Sequence, residues 1–324
     1  FAGEYTIMAP AAPGGGWDST ARTMQEVMQA EGIADSVQVE NVPGAGGTVG
    51  LAQFVTSSSG DASKLIVGGY VMVGAILTNA SPVSLADVTP VARLTGEAEA
   101  IAVPANSDIQ TIGDLVEKRK ADPGAVSWAG GSAGGVDHIT VGLLAKAAGV
   151  DPTKINYVAC SGGGEALAAV LGGQGTAGIS RVSEFQAQAD AGTMRILAVS
   201  SGDRWPGTEA PTLKEAGFDV DVLNWRMVAA PAGLSDEQKA QVMADIDTLA
   251  NSEGWKKALS DKGWSNTYLS GADFEAQLAK EIESTTAILK DIGLVQCARQ
   301  ANLNAAPRGR RSPSPQALPR SARS

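Results

Sequence analysis

Histidine is almost missing from this chain: there is one, His138, in 324 residues. Only one cysteine, Cys160, lies in the body of the sequence. Together they cannot supply a zinc-type ligand set, so no metal is expected, and no cofactor. The second cysteine, Cys297, falls in an atypical tail, so the body forms no internal disulfide. That leaves the redox compartment open. Aromatics are only 5% of residues, which argues against stacking platforms for nucleobases. No apolar run approaches the ~20 residues needed to span a bilayer. The phosphate-loop pattern G-x-x-x-x-G-K-[ST] does not occur. Gly44-x-Gly46 fails as a dinucleotide fingerprint, because position 49 is Val.

Basic charge is also missing where a nucleic-acid binder needs it. The net charge is −10, but residues 296–324 hold six arginines and no acid, so residues 1–295 carry −16. An acidic body excludes nucleic acid and disfavours anionic membranes as partners. It does not exclude a small anion, since a local site can oppose the global field.

What the chain has is glycine, 39 residues of it, and 44% apolar residues. The length suggests two domains. Short apolar runs alternate with helical patterns. Glu4–Ala9, Val37–Asn41 and Leu65–Tyr70 read as strands, with helices near Asp18–Ala30 and Gly47–Ser57 between them. After Val103-Pro104 the pattern restarts. Strands are expected over Ala125–Ala129, Ile155–Ala159, Thr176–Ser180 and Met194–Val199. Helices are expected from the Thr111 cap to Ala121, over Val136–Ala148, and over Glu165–Leu171. Strand followed by helix, repeated, predicts an α/β fold with parallel sheets. Val220–Ala230 reads as a strand. A helix capped by Ser235 and a long last helix ending at Gly293 then return to the first domain. The division expected is 1–103 with 224–295 as one domain and 104–223 as the other. Residues 296–324 are expected to be a disordered basic tail.

The glycines concentrate in four loops, each between a strand and a helix: Pro13–Gly16, Pro43–Gly47, Gly130–Gly135 and Ser161–Gly164. The first turn of a helix carries N–H groups without intrahelical partners. Glycine lets a ligand approach that backbone closely, and the helix end adds about half a positive charge. Such a loop binds an anion without a basic side chain. Two loops per domain, facing one cleft, suit a ligand with more than one carboxylate.

Gly130-Gly131-Ser132-Ala133-Gly134 also fits the G-x-S-x-G nucleophile elbow. A serine hydrolase, however, needs a histidine base. His138 lies six residues on, along the same helix, and the triad order fails. It reads instead as a hydrogen-bonding helix residue. Asp18 reads as a helix cap that also orders the loop before it, with Arg22 as its i+4 partner. Arg181 follows a strand and can reach the cleft or remain a surface charge. Trp225 reads as hinge packing, and Cys160 as a small packed or cleft-lining residue.

These stretches resemble the substrate-binding receptors of tripartite tricarboxylate transporters, the Bug-type solute-binding proteins. The matching segments are Ala12-Pro-Gly-Gly-Gly-Trp-Asp18 with Ala21-Arg22, Asn41-Val-Pro-Gly-Ala-Gly-Gly47, and Gly130-Gly-Ser-Ala-Gly-Gly-Val-Asp-His138. They continue with Tyr157, Ser161-Gly-Gly-Gly-Glu-Ala-Leu167, Asn224-Trp-Arg226 and Ala230-Pro-Ala-Gly233. The likeness runs through nearly all of residues 4–295. It implies a type II periplasmic-binding-protein fold whose two α/β domains close on the ligand. It further implies that the loops Gly14–Asp18 and Gly44–Thr48 hold one carboxylate through backbone amides and ordered water. Cys160 and Gly175 depart from the expected pattern.

The reading is an extracytoplasmic binding protein, not an enzyme. It takes a di- or tricarboxylate, citrate first, to membrane transporter subunits. The rivals are a hydrolase using Ser132 and a carboxylate-sensing receptor. The expected ligand set is Gly15, Gly16, Trp17, Asp18, Ala45, Gly46, Gly47, Thr48 and Tyr70 from the first domain. The second adds Ser132, Ala133, Gly134, His138, Ser161, Gly163 and Arg181. A monomer in the periplasm or cell envelope, free or lipid-anchored, is expected. The start at Phe1 fits a cleaved signal peptide or a trimmed chain.

Overall fold

Strand and helix alternate in the order the sequence suggests, in a computed structural model that describes residues 3–160 and 162–295. The expected tail 296–324, Cys297 and Ser161 lie outside the described residues. The first unit runs β1 (Gly3–Ala9), α1 (Gly16–Ala30), β2 (Ala34–Asn41), α2 (Thr48–Ser57), β3 (Lys64–Gly69) and α3 (Tyr70–Thr78). A long strand, β4 (Val88–Pro104), leads into the second unit. That unit is α4 (Ile112–Ala121), β5 (Ser127–Gly130), α5 (Val136–Ala147), β6 (Asn156–Ala159), α6 (Gly163–Leu171), β7 (Ala177–Arg181), α7 (Val182–Asp190) and β8 (Met194–Val199). The chain returns through β9 (Leu223–Pro231), α8 (Asp236–Asn251), α9 (Glu253–Lys262), β10 (Ser265–Ser270) and α10 (Gly271–Asp291).

The capping signals act as the sequence implies. Thr111 accepts from the Asp114 amide and Ser235 from the Gln238 amide, each as a full capping box. These bonds satisfy N–H groups that would otherwise lack a partner.

The sheet is mixed rather than parallel. β2, β1 and β3 are parallel, as are β6, β5 and β7. Between these triplets, β9 and β4 run antiparallel to their neighbours, giving the order β2-β1-β3-β9-β4-β7-β5-β6. The expectation of parallel sheets overlooked β4, whose apolar run is interrupted by Gly96, Glu97 and Glu99. This 17-residue strand pairs with β9 and β10 over its first part, then with β7 and β8. At the changeover, Glu97 pairs with Asn224 of β9, and Glu99 with Arg181 of β7. The period of two along a strand puts both carboxylates on one face, with Ala98 and Ala100 on the other. Helix α10 does more than return to the first unit. It packs on α3 and β4, and also on α5, where Ile288 and Ile292 close over Gly142.

Candidate functional site

Four helices begin at one cleft between the two halves of the sheet. In α1, Ser19 N–H is bonded to Gly15 O at 2.8 Å, so the amides of Gly16, Trp17 and Asp18 precede the intrahelical ladder. Ile139 N–H bonds Gly135 O at 3.0 Å in α5, and Ala166 N–H bonds Gly162 O at 3.1 Å in α6, leaving the same unpaired first turns. α7 starts directly at the end of β7. The cleft has two adjoining cavities of about 270 Å³ each. One is lined by Ala11, Gly16, Trp17, Val71, Arg181, Asn224 and Arg226. The other shares Gly16, Val71, Arg181 and Asn224 with it. It adds Gly15, Gly131, Ser132, Gly135, Val136, Asp137, Gly162, Gly163, Ser180 and Glu184.

Of the residues expected from sequence, Gly15, Gly16, Trp17, Ser132, Gly163 and Arg181 line this cleft. Asp18 stands behind it. Its carboxylate accepts Gly14 N–H at 2.8 Å, Asn41 Nδ2 at 2.8 Å and Arg22 Nε at 3.0 Å. Burial pushes the Asp18 carboxyl up, but these bonds outweigh it and hold it below the usual carboxylate range. Asp18 therefore shapes the 14–16 loop and is spent in doing so.

Ala45, Gly46, Gly47 and Thr48 do not line the cavities. Ala45 and Gly46 adopt φ of 47° and 62°. A Cβ on Gly46 would fall 2.5 Å from Ala75 Cβ, and one on Gly47 2.6 Å from the Trp17 ring. Glycine is needed there for backbone conformation and close packing. Tyr70 opens α3 and packs on Trp225, ring centroids 6.0 Å apart. It faces a separate cavity of about 530 Å³ between α10 and the start of β9. No helix of eight or more residues begins on that larger cavity among its described walls except α3 itself, so the convergent first turns favour the smaller cleft.

Ala133 and Gly134 belong to the loop before α5. Gly134 meets the other half of the molecule: a Cβ on Gly74 of α3 would lie 2.3 Å from Gly134 O. His138 is buried and is not among the cleft-lining residues. Its Nδ1 accepts Gly134 N–H at 3.3 Å, and its ring stacks on Tyr157 at 4.0 Å. Tyr157 Oη in turn donates to Gly131 O at 3.0 Å. His138 thus holds the loop shape. Among the described residues no base is hydrogen-bonded to Ser132 Oγ. Cys160 is half-buried beside the alanine-rich cluster of β4, β5 and α6, and burial pushes its thiol up. Among the described residues no cluster of ligating side chains could hold a metal ion.

Sequence reasoning missed the charges beneath the cleft. Glu97, almost fully buried, accepts Arg226 Nη2 at 2.8 Å, Ser183 Oγ at 2.8 Å and Arg181 Nη1 at 3.5 Å. Glu184 is bonded by both Ser180 and Arg181. Asp137 accepts Gly131 N–H at 2.6 Å. Glu99 is fully buried beside Asp137 and Glu97, and burial with these two charges raises it well above the ordinary range. Arg226 is 3% exposed, and its Nη1 has no hydrogen-bond partner among the described residues. The available signal was Glu-Ala-Glu in an apolar strand: two charges on one face of a buried strand require partners.

Asp137 and His138 should titrate in opposite senses. Burial raises the Asp137 carboxyl to about 6, against the opposing bond from Gly131, and lowers His138 to about 4. Below pH 6.5 the unfolded chain protonates its histidine and the native chain does not. Acidification from 6.5 to 4 therefore removes up to about 3 kcal/mol of stability through His138. Asp137 works the other way, because the native state takes its proton first as the pH falls through about 6. Relative to wild type, His138→Gln should gain stability between pH 6.5 and 4.5, and Asp137→Asn should lose it faster. Urea unfolding at both pH values checks this, and the same response from both variants would refute it.

A family model described as the tripartite tricarboxylate transporter family receptor matches residues 20–294. The chain belongs to that family. This tripartite-transporter receptor is 25% identical over 293 residues to protein BugT of Bordetella pertussis, covering 89% of this chain and 88% of that one. A Rhodopseudomonas palustris protein solved with adipate superimposes with a TM-score of 0.76 at 22% identity, covering 90% of this chain and 97% of that one. MatC from Rhodopseudomonas palustris with bound malate gives a TM-score of 0.69 at 22% identity, over 90% and 99% of the two chains. At such identities the likeness establishes the fold, the two-domain α/β fold of periplasmic solute-binding proteins.

Proposed function

We propose that this receptor captures a small carboxylate in the cleft, outside the cytoplasm, and delivers it to the membrane subunits of a tripartite tricarboxylate transporter. It works as a monomer without a cofactor and catalyses no reaction. The observation that carries this reading is the convergence of the α1, α5, α6 and α7 first turns on one cleft, with Arg226 and Arg181 among its lining residues. Aligned helix dipoles and a guanidinium stabilise carboxylate charge where the acidic body as a whole would not. The adipate and malate found in two structural neighbours support the ligand class. Di- and tricarboxylates, citrate among them, are the first ligands to try. The domains are residues 1–103 with 224–295 and residues 104–223, hinged where β4 and β9 pass between them. Gly74 against Gly134 is the contact made on closure.

Thermal-shift and calorimetric titration with a panel of carboxylates tests the reading. A ligand at about 100 times its Kd should add about 2.7 kcal/mol of stability. Failure of every carboxylate in the panel would defeat it. An ester substrate should show no turnover in wild type or in Ser132→Ala. Ser132-dependent hydrolysis would favour the enzyme instead.

A further inference from the structure

The two ends of the cleft have opposite chemistry. At the α1 end stands Arg226 with the helix start at Gly16 and Trp17, while Arg181 lines both cavities and is bonded to Glu184. At the far end stand Asp137 and Glu184, on the first turns of α5 and α7. These acids place negative charge on the first turns of α5 and α7 themselves. Asp137 already takes the Gly131 amide at 2.6 Å, and Glu184 holds Ser180 and Arg181. Behind them Glu99 is fully buried, against Asp137 and within reach of the Asn224 side chain. Glu97, Asp137 and Glu184 thus share two guanidiniums, with Glu99, whose carboxyl is pushed toward its protonated form, behind them. Asp137 accepts the Gly131 amide, a bond that favours its ionised form against the pull of burial. A second ligand carboxylate placed there would face like charge in a site of low dielectric. A group carrying N–H donors and positive charge would supply what the far end lacks.

We propose that the ligand is dipolar: a carboxylate seated beside Arg226 and Arg181, and an ammonium-class group seated beside Asp137 and Glu184. The inference rests on the carboxylate-receptor reading and narrows it. Asp137 and Glu184 are then the residues that set specificity, choosing an amino acid over a dicarboxylate of the same length.

The test uses three matched pairs, each differing only in having –NH3⁺ in place of one –COO⁻. They are 3-aminopropanoate and succinate, 4-aminobutanoate and glutarate, and 5-aminopentanoate and adipate, with citrate alongside. Each is titrated calorimetrically at neutral pH into the full chain, into Asp137→Asn and into Glu184→Gln. In at least one pair the amino acid should bind at least about tenfold tighter, or roughly 1.4 kcal/mol. Each variant should cut that ratio to about threefold or less without weakening the dicarboxylate. Dicarboxylates or citrate binding tighter than every amino acid would overturn the proposal and leave the receptor reading intact. So would a preference that survives both substitutions in folded protein. Binding by none of the seven would remove the carboxylate reading itself, and the proposal with it.

Discussion

Gly74→Ala should raise the melting temperature of the ligand-free receptor and weaken ligand capture at the same time. Gly74 sits inside α3, where alanine is favoured over glycine by about 1 kcal/mol. In the opening proposed for the lobes the methyl leaves the Gly134 contact, and the gain should appear as about 2 °C in melting temperature. With the lobes together, it falls 2.3 Å from the carbonyl oxygen of Gly134 and 3.6 Å from Ile139 Cδ1. The oxygen is backbone, in a loop pinned by His138 and Tyr157, so it cannot swing aside as a side-chain tip would. Affinity then falls by the energy of closure that is lost, and about 100-fold is expected, or roughly 2.7 kcal/mol. Calorimetry gives the affinity, and solution scattering should show a radius of gyration that no longer shrinks with ligand. A lower melting temperature with unchanged affinity would mean that the two halves form one rigid body.

Elements with local signals were legible in the sequence. The capping boxes at Thr111 and Ser235, the strand–glycine–helix loops and the last helix all follow from neighbouring residues. Elements whose cause lies elsewhere in the chain were not. α3 begins with no loop after β3, so its first residue, Tyr70, read as the end of a strand, and α7, which starts directly after β7, was not expected. Tyr70 was thereby assigned to the cleft, whereas the helix turn carries it to Trp225. β4 was hidden because its charges break the apolar pattern, and the partners of Glu97 (Arg181 and Ser183 around β7, and Arg226 in β9) lie 84 to 129 residues later. Glycine was ambiguous for a related reason. The same residue type packs closely at Gly16 on the cleft wall, where a Cβ would strike Arg226, and at Gly46 away from it, where it would strike Ala75. Distinguishing them needs the neighbour across the fold. Asp137 and Glu184 gave no signal of their own, since a helix's own acid and a cleft's acid look alike until the other helices are placed.

Arg226→Met should be the most destabilising single change beneath the cleft, and its partner should rescue it. Glu97 is 2% exposed and its shortest guanidinium contact is Arg226 Nη2 at 2.8 Å. Removing Arg226 leaves that carboxylate with Ser183 at 2.8 Å and Arg181 at 3.5 Å. Breaking one side of a buried pair costs about 3–5 kcal/mol, because the remaining charge is uncompensated. Removing both charges costs much less, so Glu97→Gln with Arg226→Met should recover most of the loss. Ligand affinity separates a binding role from a structural one. The Arg226 side chain is among those lining the α1 end of the cleft, so under the proposed reading the carboxylate loses the guanidinium's charge in both the single and the double variant. Glu97→Gln alone should act in the opposite direction, since the guanidinium no longer shares its charge with an internal carboxylate. Urea unfolding should therefore rank the double variant near wild type and Arg226→Met far below it. Calorimetry should show the double variant binding about tenfold or more weakly than wild type, and Glu97→Gln binding more tightly wherever it remains folded. If the stabilised double variant binds carboxylate like wild type, Arg226 is part of the scaffold, and the anion is held by the α1 amides and Arg181 alone.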